Sequence, residues 1–120
     1  MVESRALVAF EDQYRTYREF IASAIRWHRP HVEVAVAGLE ALKDEVARFD
    51  PDLVICSRPN TLDSNGRPAW FELPPDPERL AELCLNGRRS EMANPALEEL
   101  LRAVDETERL IRTKPYSAKC

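Results

Sequence analysis

A chain of 120 residues is long enough for one domain with a real core, and a composition 44% hydrophobic and 32% charged is that of a soluble globular protein. A formal charge of −4 excludes the basic footprint of non-specific nucleic-acid binding, and no run approaches the roughly 20 apolar residues of a membrane span. The three cysteines, Cys56, Cys84 and Cys120, are odd in number, widely spaced and without metal-ligand spacing, so they are expected to stay reduced in a cytoplasmic protein.

Met1-Val2-Glu3-Ser4-Arg5 leads straight into a strand-like segment and does not read as a signal peptide. Ala6 to Phe10 is a first buried strand, stopped by Glu11-Asp12. A helix follows to about His28. Tyr14, Tyr17, Phe20, Ile21, Ala24 and Ile25 recur at intervals of three and four and define its apolar face, with Arg15, Arg18, Glu19 and Arg26 largely opposite. Pro30 ends it. Val32 to Val36 alternates as an edge strand does, and Gly38 breaks it. Leu39, Leu42, Val46 and Phe49 stripe a second short helix that closes at Asp50-Pro51. Leu53 to Cys56 is a third strand, apolar throughout, of the kind covered on both faces. This β-α-β-α-β rhythm implies a parallel sheet with the first strand central and the second beside it.

The second half is helix-poor. Pro59 to Pro68 is a polar, turn-rich loop. Ala69 to Leu73 reads as a strand, and Pro74-Pro75-Asp76-Pro77 is neither helix nor inner strand. The run Leu80 to Leu85 fits a helix by some positions and a strand by others. Its shortness and the following Asn86-Gly87 favour a strand, which would pair antiparallel with Ala69–Leu73. Asn94-Pro95 is expected to open a long last helix, with Asn94 as cap and Pro95 at the first helical position. Leu97, Leu100, Leu101, Val104, Leu110 and Ile111 form its stripe, interrupted near Thr107, and Pro115 ends it. The expected organisation is one α/β domain over residues 1–115 and a frayed tail over 116–120.

Ala6-Leu7-Val8-Ala9-Phe10-Glu11-Asp12 and Phe49-Asp50-Pro51-Asp52-Leu53-Val54-Ile55-Cys56-Ser57 together resemble the first and third strands of response-regulator receiver domains. The resemblance covers about half the chain and implies a three-layer flavodoxin-like fold. In that family the acidic pair helps hold magnesium, and an aspartate ending the third strand takes a phosphoryl group. Ser57 stands at that position, a neutral hydroxyl that is a poor metal ligand and a weak nucleophile. The family's hydroxyl residue after the fourth strand and lysine after the fifth have no counterparts at Leu73-Pro74 or Asn86-Gly87-Arg88. The resemblance therefore implies a degenerate receiver, not phosphorylated on aspartate, that acts through a protein partner or a homodimer without a cofactor.

The candidate ligand-binding rim is Glu11, Asp12, Ser57, Arg58, Asn86 and Arg88, with Glu11 and Asp12 the weak candidates for a metal. Each has a plainer reading. Glu11-Asp12 also suits a helix amino terminus. Arg58 and Arg88 either clamp an anion, if the last strand runs parallel to the third, or bridge internally to the acidic pair. Trp70, Phe71 and Tyr116 form either a contact patch on an open sheet edge or part of the core. Cys56, inside an apolar strand, reads as an inert buried thiol.

Overall fold

Apolar runs at Arg5–Phe10 (β1), Glu33–Gly38 (β2), Leu53–Cys56 (β3) and Ala69–Glu72 (β4) form four parallel strands in a computed structural model that describes residues 4–61 and 66–120. Part of the Pro59–Pro68 loop and the first three residues lie outside the described residues. Ala81–Leu85 (β5) runs antiparallel to β4, as the proline-rich link between them requires. Arg88–Met92 (β6) adds a further antiparallel edge strand that the sequence reading did not anticipate. The result is one mixed six-stranded sheet in the order β2-β1-β3-β4-β5-β6. β1 and β3 lie inside it and β2 is an edge, as the pattern predicts.

The pleat divides the core in two. Ala6, Val8 and Phe10 of β1, Leu53 and Ile55 of β3, and Phe71 of β4 share one cluster with Ile21 and Ile25 of α1 (Arg15–His28) and Leu100 and Val104 of α3 (Leu97–Arg112). Leu7, Ala9, Val54, Cys56 and Trp70 face the other way, toward Leu42 and Val46 of α2 (Leu42–Phe49). Trp70 and Phe71 are fully buried, so they belong to the core and make no contact patch. β4 is an inner strand; the edge beyond it is β6, whose Arg-Arg-Ser-Glu-Met sequence is exposed and guarded by charge.

Four other expectations are corrected. Asn94 adopts left-handed backbone (φ 46°), and α3 starts only at Leu97. The Glu99 carboxylate, not Asn94, closes the first turn by accepting from the Ala96 amide at 2.9 Å. Thr107 does not interrupt the stripe: it is buried, its hydroxyl donating to the Ala103 carbonyl at 2.7 Å. The tail is docked. Cys120 is buried and disulfide-bonded to Cys84, its amide donates to the Arg67 carbonyl at 3.0 Å, and its own carbonyl accepts from Asn60 at 2.6 Å. Cys84 and Cys120 therefore do not stay reduced, and the cysteine count carries no argument for a reducing compartment. Among the described residues, no helix is long and apolar enough to cross a membrane.

Candidate functional site

Parallel strands deliver their carboxyl ends, and the loops that follow, to one rim. Here β1 gives Glu11 and Asp12, β2 gives Leu39 and Glu40, and β3 gives Ser57, Arg58 and Pro59. Glu11, Asp12, Leu39, Glu40, Leu42, Lys43, Arg58, Pro59 and Thr61 line a hollow of about 620 Å³. The lining mixes apolar side chains with three carboxylates and two cations.

Ser57 lies buried just beneath, and its hydroxyl donates to Glu11 Oε1 at 2.6 Å. That bond fixes the Glu11 carboxylate and uses the hydroxyl proton. A carboxylate is far too weak a base to take a serine proton, so the pair does not make a nucleophile. The Arg58 backbone is pinned from below, its carbonyl accepting from Trp70 Nε1 at 2.7 Å and from the Cys56 thiol at 3.1 Å. Its side chain is exposed and makes no ion pair among the described residues. The internal Arg58–acid bridge is therefore not formed.

Arg18 forms the bridge instead. Its Nη1 lies 3.5 Å from Asp12 Oδ1 and donates to the Phe10 carbonyl at 2.9 Å and the Ala37 carbonyl at 3.3 Å. It ties the ends of β1 and β2 together, with its side chain only 12% exposed and its Nε without a partner. The helical period put Arg18 on the outer face. Its long stem instead carries the guanidinium back over the strand ends.

Asn86 and Arg88 are not brought to this rim. Leu85 pairs with Ala69, which pairs with Leu53, the first residue of β3. Asn86 therefore emerges at the amino end of β3, a strand length of about 10 Å or more from Ser57. Convergence needed a last strand parallel to β3, and β5 runs the other way. Asn86 serves the hairpin turn, its Oδ1 accepting from the Ser117 amide. Arg88 lines a separate hollow of about 370 Å³ with Ser90, Arg109 and Leu110. Glu40 and Lys43 are rim residues that the sequence reading missed. The signal was present: they follow a parallel strand, so α2 must start on the same rim as Glu11.

The magnesium implied by the receiver resemblance does not fit this donor set. Glu11 is held by Ser57 and Asp12 by Arg18, and among the described residues no group of three His, Cys, Asp or Glu side chains could hold an ion.

Comparison with family models, with curated proteins and with solved structures finds no match to this chain. The class the fold defines is a mixed-sheet α/β domain.

Proposed function

We propose that this chain is a receiver-like regulatory or interaction module, not phosphorylated on aspartate, that works by binding a protein partner or a second copy of itself. Four parallel strands in the order β2-β1-β3-β4, helices on both sheet faces and an acidic pair after β1 support a flavodoxin-like, receiver-derived description. The reversed β5 is its departure from that plan. The observation that carries the reading is the Ser57–Glu11 hydrogen bond. It occupies the place of a phosphoryl acceptor with a buried hydroxyl already committed to a neighbour. Incubation with a small phosphodonor and magnesium should leave the intact mass unchanged; a hydroxylamine-labile phosphoryl adduct would overturn the reading.

A second reading rests on the hollow itself. Its 620 Å³ is the size of a small-molecule site, and Arg58 and Lys43 offer cations on its wall. A small anionic ligand bound there would raise the melting temperature by mass action. A screen of phosphate, nucleotides and carboxylates tests this, with Arg58→Ala abolishing any true shift. No shift with any of them removes the reading.

A further inference from the structure

The hollow at the strand ends is lined by charges of both signs that do not neutralise one another. Glu11, Asp12 and Glu40 bring three carboxylates to it, and Lys43 and Arg58 two cations. Asp12 is paired with Arg18, which is not part of the lining. Glu40, Lys43 and Arg58 make no ion pair among the described residues.

Two of the carboxylates are held in place. Ser57 donates to Glu11 Oε1 at 2.6 Å, and Oε2 has no partner among the described residues. Glu40 folds back onto Gly38 at the end of β2. A Cβ built on Gly38 would collide with Glu40 Oε1 and lie 2.8 Å from its Oε2, so the bare Cα of the glycine is the seat of that carboxylate. Gly38 pairs with Phe10, the residue before Glu11, so both acids stand at the ends of β1 and β2. Arg58 follows β3, on the other side of β1. The backbones that carry Glu40 and Arg58 are thus two strand spacings apart, roughly 10 Å. The two side chains do not close that gap themselves.

A ligand with one kind of charge suits this lining poorly. An anion on Arg58 would face three carboxylates, and a cation on the acids would leave Arg58 and Lys43 without a counter-charge beside it. We propose that the hollow binds a zwitterion with an aliphatic body, a free amino acid or a short peptide. Its ammonium sits on Glu11 and Glu40, its carboxylate on Arg58, and its side chain on Leu39, Leu42 and Pro59. This rests on the second reading above, that the hollow is a ligand site, and adds an obligatory cationic group to the anionic one named there.

Thermal melts of the intact, oxidised chain with leucine, leucyl-leucine, N-acetyl-leucine and leucinamide separate the two charges. Leucine or leucyl-leucine should raise the melting temperature, and the larger shift tells a free amino acid from a peptide. Each singly charged analogue should bind at least about tenfold more weakly than the better zwitterion. Arg58→Ala and Glu40→Gln, both at exposed positions, should weaken the zwitterion and leave the protein's own melt unchanged. Gly38→Ala should match Glu40→Gln: its backbone is extended (φ −73°, ψ 153°), and only the flexible end of Glu40 has to move. No shift with either zwitterion, an equal shift with N-acetyl-leucine or leucinamide, or binding indifferent to both Glu40→Gln and Gly38→Ala would each overturn the proposal. A shift with phosphate, a nucleotide or N-acetyl-leucine as large as with the zwitterions would leave the anionic reading standing without it. Silence from every compound would remove both.

Discussion

Cys56 sits fully buried in β3, and burial pushes its thiol up to about 12. At neutral pH it is protonated and out of reach, so the nucleophilic thiolate is not available. Alkylation of the native, oxidised protein should therefore label no thiol, and alkylation after denaturation without reductant should label one. Three labels under the second condition would show that Cys84 and Cys120 are free. Asp105 titrates in the other direction. The Arg29 guanidinium, bonded to its two oxygens at 2.7 and 2.8 Å, holds its carboxyl below the ordinary aspartate range. A carboxylate whose folded pKa is lowered adds stability above its unfolded value, and that stability is lost as pH falls through the folded one. The pair is nearly half exposed on the aspartate side, so Asp105→Asn should cost no more than about 1 kcal/mol at pH 7. The difference between variant and wild type should narrow as pH falls below the ordinary aspartate value of about 3.9, as urea unfolding at about pH 7 and across that acid range would reveal.

The elements show which sequence signals survive folding. Long periodic stretches gave α1, α2 and α3, because an amphipathic helix must bury its stripe whatever it packs on. The width of that stripe was not legible: Phe20 belongs to the apolar face of α1 yet is 59% exposed, and Tyr17 only edges onto Phe10 of β1, while Ile21, Ala22 and Ile25 are fully buried. β6 was invisible for the opposite reason. An edge strand of exposed, charged residues carries no alternation to read. Its one signal was the Asn86-Gly87 turn, read as a strand end and as a ligand rim. With φ of 55° and 80°, the two residues make the two-residue hairpin turn that joins β5 to β6. Gly87→Ala should then destabilise by about 1–2 kcal/mol, the cost of a side chain in left-handed backbone. The new Cβ would also meet Ser117 Oγ at 2.9 Å, pressing on the docked tail. A lower urea midpoint with an unchanged slope would confirm it, and an unchanged midpoint would refute the turn assignment.

At the scale of the molecule, strand direction and tail placement decide where chemistry can gather. The parallel first half followed from the β-α-β rhythm, and with it the rim that holds Glu11, Asp12, Ser57 and Arg58. The reversal at β5 removed Asn86 and Arg88 from that rim, and no local propensity encodes which end of a sheet a late strand reaches. The tail was hidden more completely, because pairing across 36 residues has no periodicity. In place of a frayed end, Cys120 lies buried on the α2 face in one cluster with Trp70 and Cys84. Closing a loop of that length restricts the unfolded chain and stabilises by about 2–4 kcal/mol. Cys120→Ser should lower the unfolding free energy by that amount and abolish the effect of reductant on the melt. Exchange of the Cys120 amide, now bonded to Arg67, should rise first. The cluster of α1, α3 and the opposite sheet face does not include Cys120, so its amides should stay protected until global unfolding. If wild type melts identically with and without reductant, the tail is not a clamp. The Arg58 turn, which shares Trp70 with it, would then owe its position to the sheet alone.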